Sequence, residues 1–553
     1  MVISLLPLDE RPCNHAYPGL LGAVAGVEVR VPPASLMGRK KQPADVDALA
    51  EWLQEAAETA DGLVVAAETL AFGGLIPSRV VSTPTEQALA RLRVLEEVRR
   101  RRPGLPIFVQ GVIMRTPAYD SDDEEPPYWA LYGRRLFLYS VVLDALERGE
   151  AAWEQVRGGG RTVSSPAFEA ELAGVPFGGL EARRAALEGE IPQDVREEWR
   201  WRRQRNHRVN QELVRLVADG VVDFLALTQD DCFPLGIHMQ EQRRLAALVA
   251  EAQAYRRVLI YPGADEVGLV LLARQALRAA GLRPRVGLRF SSTEGPRIVT
   301  RYEDRPLLET IKAHLTALGG IWEQDFGRAD IALFVNSPEG PQQEAARQDA
   351  AGGAGAGSGR NLAEFLDALA DAVQSNPRRA VALADVAYAN GADRALVEML
   401  PAYVWPPDLA AYAGWNTAGN TLGSTLAHAA LRWMACQRPE GPAAEHAERA
   451  HLRYLALRFI EDWGYQAVVR QEMARGPVAA MGVSPYALGP HRETLAGEAR
   501  ARLESVWRAW RATWQPELAA REGSGGRDVG VRITGLDFPW DRIFEVGLTV
   551  EVD

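Results

Sequence analysis

The sequence predicts an α/β protein, and three observations carry that expectation. Short apolar runs alternate with segments of helical period along most of the chain. Nearly every apolar run stops at a polar or charged residue. At 553 residues the chain is too long for one compact core, so a large domain with smaller companions is expected. The favoured architecture is a (β/α)8-barrel-like domain with strands at 2–8, 62–67, 105–114, 223–229, 258–262, 285–290, 331–336 and 380–385. Apolar runs at 27–31 and 409–413 are surplus to such a barrel. The alternative is two doubly wound α/β domains meeting near residue 280. In the barrel reading the domain spans 1–439 with a helical insertion at 118–210, followed by a helical region at 440–521 and a small β appendage at 522–553.

Taken in order, Val2 to Leu8 reads as a strand ending in Asp9-Glu10-Arg11, and Arg11 is suited to hold a substrate oxygen. Gly62 to Ala67 ends in Glu68-Thr69, then Phe72-Gly73-Gly74 and Arg79. The paired glycines let something approach the backbone, but no Lys-Ser/Thr follows, so they are no phosphate loop. Asp120 to Glu125 is a charge run that reads as a solvated loop, and the aromatic stripe from Tyr128 to Tyr139 reads as helix core. Later runs end at Asp265, at Asn336 and at Asp385. Residues 350 to 360, rich in Gly, Ala and Ser, read as a flexible loop or lid, and 522 to 527 as a linker. Ala443 to Ala474 and Glu493 to Ala520 read as long helices, with paired strands after residue 528.

The most informative stretch runs from Asp223 to His238. A buried strand stops at Asp230-Asp231, and Pro234 and Gly236 then break the chain before a helix near Gln240. Adjacent carboxylates repel, so one is expected to keep its proton to higher pH than an isolated Asp. The competing reading makes Asp230 a helix cap and Asp231 a solvated side chain. Near the end of the predicted domain, Trp415, Asn416, Thr417 and Asn420 lie between a strand and a helix, where an indole and neutral amides could read hydroxyl groups. A helix cap accounts for one or two of them.

Composition narrows the classes. A net charge of −11 argues against a nucleic-acid protein. Three scattered cysteines suggest a reducing compartment without a disulfide framework. No basic leader and no bilayer-length apolar run is seen, so a cytoplasmic protein without a membrane partner is expected; oligomeric state is left open.

The motifs Pro7-Leu8-Asp9-Glu10-Arg11-Pro12, Phe72-Gly73-Gly74-Leu75-Ile76-Pro77-Ser78-Arg79, Asp230-Asp231, Pro262-Gly263-Ala264-Asp265-Glu266, the stretch from Ala384 to Gly391, the stretch from Gly414 to Gly423 and Phe538-Pro539-Trp540 resemble a bacterial family catalogued as domain of unknown function 4127. A weaker likeness, through adjacent acids and an aromatic-Asn loop, is to barrel-type retaining hexosaminidases.

Three functions are weighed. The first is a glycoside hydrolase acting on a carbohydrate, possibly an N-acetylhexosamine, without a cofactor. Asp230 and Asp231 would be catalytic, with Asp9, Glu68, Asp265 and Asp385 supporting; Arg11, Arg79, Trp415, Asn416, Thr417 and Asn420 would bind substrate. The second is a metal-dependent hydrolase or lyase, in which Asp9, Glu68, Asp230, Asp265 and Asp385, with His238, hold Mg or Mn. The third is a sugar-binding protein without chemistry.

Overall fold

Apolar runs of Val, Ile, Leu and Ala form parallel strands here because helical connections cover them and bury them on both faces. The structure, a computed structural model, describes residues 1–158, 165–351, 360–376, 379–437, 441–514 and 530–552. The loop or lid expected at 350 to 360 falls almost wholly outside the described residues, and the linker at 522 to 527 does so entirely.

The chain divides into two compact units. The first comprises Met1–Glu10, Val29–Gly268 and Val299–Ala313; the second comprises Arg11–Glu28, Leu269–Ile298 and His314–Asp553. The sheet of the first unit contains β1 (Val2–Leu6), β2 (Glu28–Arg30), β3 (Gly62–Ala66), β4 (Ile107–Ile113), β5 (Phe224–Gln229) and β6 (Val258–Pro262). Their order is β2-β1-β3-β4-β5-β6, and every ladder from β1 to β6 is parallel.

The second unit holds β7 (Arg285–Phe290), β8 (Ile321–Trp322), β9 (Ile331–Asn336), β10 (Gln343–Glu344), β11 (Ala380–Asp385), β12 (Tyr388–Ala389), β13 (Ala411–Ala413), β14 (Val531–Asp537) and β15 (Gly547–Val552). Its main sheet is parallel, in the order β13-β11-β9-β7-β8. β10 pairs with β12, and β14 with β15 as an antiparallel hairpin.

Counted within its own sheet, each unit has the strand order 2-1-3-4-5, with one strand added in the first. That is an order of open α/β sheets, whose ligand crevice lies at the carboxyl ends of the strands where the winding reverses. The reversal falls between β1 and β3 in one unit and between β7 and β9 in the other. The expected closed barrel is not found among the described residues. Its first five strands lie in one sheet and its last three in another. The two apolar runs left over by the barrel reading are the edge strands β2 and β13.

Among the described residues between β4 and β5 are the helices Trp129–Arg148, Glu150–Arg157, Pro166–Glu171, Leu180–Glu190 and Gln193–Ala218. They bury a core of their own that includes Trp129, Phe137, Tyr139, Trp153 and Trp199. In the second unit, the helix expected to run unbroken from Ala443 is α-helical only over Pro442–Arg458. It then widens into a π-helix over Phe459–Val469.

Candidate functional site

Asp230 and Asp231 follow directly on β5. Asp231 has φ +35°, a left-handed conformation that is costly for a residue other than glycine. The next residue anchors the turn: Cys232 N donates to the Tyr302 carbonyl (2.9 Å), and Tyr302 is itself left-handed (φ +69°). Beyond it, helix Ile237–Glu251 begins three residues earlier than expected. The insertion helix supplies its cap, with Gly236 N donating to Asp144 Oδ2 (3.0 Å) and Ile237 N to Ser140 Oγ (2.9 Å). The reading that makes Asp230 that helix's cap does not survive this geometry.

Two arginines hold the two acids. Arg79 pairs through Nη2 with Asp230, and Arg115, just after β4, donates from Nη1 to Asp231 Oδ2 (2.7 Å). Two further carboxylates bridge the same arginines. Glu124 Oε2 accepts from Arg79 Nη1 (3.1 Å) and Arg115 Nη2 (2.7 Å). Glu125 Oε1 accepts from Arg79 Nη1 (3.3 Å) and Arg115 Nε (2.8 Å). The charge run at 120–125 is therefore no solvated loop. Its last two acids are drawn inward because two buried guanidiniums need counter-charge, and Glu125 is only 3% exposed. The other end of the run is tied down by Lys40 to Asp123 and by Lys41 to Asp122.

The backbone around Arg79 is fixed by the insertion. From helix Gln193–Ala218, Arg205 donates to the carbonyls of Ser78 and Val81, and Asn206 Nδ2 to that of Ser78 (3.1 Å). Arg203 from the same helix bonds the Met114 and Arg115 carbonyls (2.7 and 3.0 Å) and pairs with Glu241. Ahead of Arg79, Gly73 (φ +89°) presses against the 43–44 backbone. A Cβ there would lie 2.7 Å from Ala44 N, so the paired glycines serve a packed turn.

Glu68 follows β3 and is buried. Its Oε1 accepts from Val112 N (2.7 Å), while Oε2 has no hydrogen-bond partner among the described residues. Burial pushes its carboxyl up to about 7, with the Asp230 charge adding to the shift. Burial, and then Asp230, pushes Asp231 up to about 6. The Asp231 side chain is nonetheless 26% exposed, so a proton on it can reach a substrate. Asp9 and Asp265 belong to the same unit and are buried.

His238 is buried, with Nε2 against the Phe233 backbone, and burial lowers it to about 4. It is thus a neutral structural residue. Among the described residues no group of three or more His, Cys, Asp or Glu side chains is arranged to hold a metal.

The remaining predicted site residues lie in the second unit. Asp385, at the end of β11, accepts from Asn336 Nδ2 (2.9 Å) and Asp393 N (2.7 Å). Burial and the nearby Asp393 push it up to about 7. Arg11 is paired with Glu545 (3.6 Å) and lies 4.4 Å over the Trp540 ring. Thr417 and Asn420 form a reciprocal capping box on helix Ala418–Cys436, so the cap reading accounts for both. Trp415 is buried, its indole N–H donating to Ser424 Oγ (3.2 Å) and its ring under the Arg458 guanidinium. Asn416 is left-handed (φ +46°).

Sequence reasoning passed over Arg115, Glu124 and Glu125, and over Arg458, Glu461 and Asp462. Arg115 carries the same local signal as Asp230, a charge at a strand's carboxyl end. The others sit in charged stretches where burial leaves no local mark. No described helix is long and apolar enough to cross a membrane.

The model of a family described as protein of unknown function (DUF4127) matches residues 3–158 and 179–549. No curated protein and no solved structure matches the chain.

Proposed function

The chain belongs to the DUF4127 family, a family of unknown function, and from the geometry of its first unit we propose that it is a hydrolase working by carboxylate acid/base chemistry on a glycoside. One observation carries this reading. Asp231 is a partly open carboxyl group held protonated to about pH 6, beside an Asp230 clamped by Arg79. A group titrating just below neutrality is suited to give a proton to a leaving oxygen and take it back. Asp231 is the proton donor to the glycosidic oxygen. Asp230 is the fixed counter-charge that keeps the Asp231 proton in place.

Adjacent carboxyls are too close to flank a sugar as the ordinary acid and nucleophile do. The opposing group is therefore either the substrate's own acetamido oxygen, as with an N-acetylhexosamine, or Glu68. Glu68 is the alternative because it titrates near neutrality and feels the Asp230 charge, although its Oε2 is buried. The metal-dependent reading gains no support from the donor set around these acids.

A panel of aryl glycosides that includes N-acetyl sugars tests the proposal. The expected result is release of the aryl group by the wild-type protein, lost by about a hundredfold or more in Asp231→Asn. Turnover of no member of the panel, or an Asp231→Asn variant as active as the wild type, would overturn it.

A further inference from the structure

In the second unit a small cavity of about 30 Å³ is lined by Arg11, Asn390, Trp415, Asn416, Glu461, Gln466, Phe544 and Glu545, among others. Two of these lining residues come from one π-helix, Phe459–Val469. In an α-helix, positions five apart point in different directions; the wider π turn brings them onto one face. Glu461 and Gln466 are five apart, and both reach the cavity. The π geometry is thus the backbone's way of delivering two polar side chains to one hollow.

Both side chains present acceptors. Gln466 is 7% exposed; its Nε2 donates to the Phe544 carbonyl (3.1 Å), and its buried Oε1 has no partner among the described residues. An acceptor left unpaired in a protein interior costs free energy comparable to a lost hydrogen bond. Glu461 accepts from the Tyr17 hydroxyl (2.5 Å) and Arg458 Nη1 (3.1 Å), both at Oε2. The rim is strained as well. Asn390 (φ +60°) and Asn416 (φ +46°) are both left-handed and joined by Asn390 N donating to the Asn416 carbonyl (2.8 Å). Non-glycine residues held in that region cluster at ligand sites.

Charge around the cavity is balanced. Arg11 and Arg542 meet Glu545, Arg458 meets Glu461 and Asp462, Arg470 bonds the Asn390 carbonyl, and Glu344 accepts from Asn390 Nδ2. The charged lining groups, Arg11, Glu461 and Glu545, are each engaged in an ion pair, which favours a neutral occupant. The hollow instead offers acceptors to a hydrogen-bond donor, with the Trp415 and Phe544 rings as walls. Its volume is about that of a single water, room for one hydroxyl group.

We propose that this cavity is a binding site for the hydroxyl-bearing end of a neutral sugar or polyol, with Gln466 Oε1 and Glu461 as the acceptors that select it. The site stands on its own residues and does not depend on the hydrolase reading.

Isothermal titration calorimetry of the full chain tests it with glycerol, myo-inositol, D-glucose and N-acetyl-D-glucosamine, and with n-propylamine as the charged control. At least one neutral polyol is expected to bind one-to-one, with affinity falling about tenfold in Gln466→Met. Should that variant not fold, Glu461→Gln reads the same loss. Binding of no polyol, equal binding by a folded Gln466→Met, or binding of n-propylamine alone overturns the proposal.

Discussion

Asp230 and Asp231 are neighbours in sequence, yet they turn their carboxylates to different arginines, Asp230 to Arg79 and Asp231 to Arg115. The left-handed backbone at Asp231 makes this divergence possible. Its consequence is chemical asymmetry. One carboxyl is locked in a buried pair, and the other is left partly open and inclined to keep its proton.

Arg79 is the hub of that arrangement, since it meets Asp230, Glu124 and Glu125 at once. Arg79→Ala leaves Asp230 without its guanidinium and takes from Glu124 and Glu125 one of the two that hold them. Loss of one partner from a buried ionic cluster costs about 3–5 kcal/mol. Arg79→Lys, which cannot present the same fork, is expected to recover only part of this. Urea unfolding of both variants checks the order wild type, then Lys, then Ala.

Glu68 sets a pH dependence. Its folded-state carboxyl titrates near 7, above its unfolded value, so the folded chain binds the proton more tightly. Its contribution is favourable at low pH and is lost as pH rises from about 4.5 through 7. The loss is at most about 3 kcal/mol. Asp385 and Asp462, also pushed up to about 7 by burial, act in the same direction. These carboxyls lower the melting temperature as pH rises from 5 to 8, while the buried His207, His238 and His428, titrating below the ordinary imidazole, raise it up to about pH 6.5; a net fall is expected from pH 6.5 to pH 8, and a smaller one in Glu68→Gln.

Gly73 combines φ +89° with a Cβ position 2.7 Å from Ala44 N. Gly73→Ala adds left-handed strain to a clash with backbone and is expected to cost at least about 2 kcal/mol. Gly104, where an added Cβ meets nothing within 4 Å, is the control site: Gly104→Ala is expected to change the unfolding midpoint little.

Thr417 and Asn420 cap helix Ala418–Cys436 reciprocally. Thr417→Ala is expected to cost about 1 kcal/mol. Because the two side chains act as one cap, the double variant with Asn420→Ala should cost less than the sum of the singles. Denaturant midpoints of the four proteins read the coupling directly.

Much of the strand inventory was legible because it is local: an apolar run, then a charge. Asp230 after β5 and Asp385 in β11 were found that way. Which strands share a sheet is not local, and so an eight-strand count suggested a closed barrel where two open sheets stand. The surplus runs that became β2 and β13 were the sign against closure. The partners of the acids were equally hidden. Arg79 and Asp230 lie 151 residues apart, and no spacing rule joins them. Glu124 and Glu125 belong to a run whose composition argues for solvent; only the two guanidiniums beneath them reverse that. The π turn that aligns Glu461 with Gln466 depends on hydrogen-bond register, which the sequence of that helix does not display.

The central claim is that Asp231 keeps a proton to about pH 6. Carboxyl ¹³C NMR of protein labelled at aspartate, titrated from pH 3 to pH 9, measures this without a substrate. The account predicts a resonance with a midpoint near pH 6 that is absent from Asp231→Asn. An Asp231 resonance titrating near 4, the range of an isolated aspartate, would contradict it.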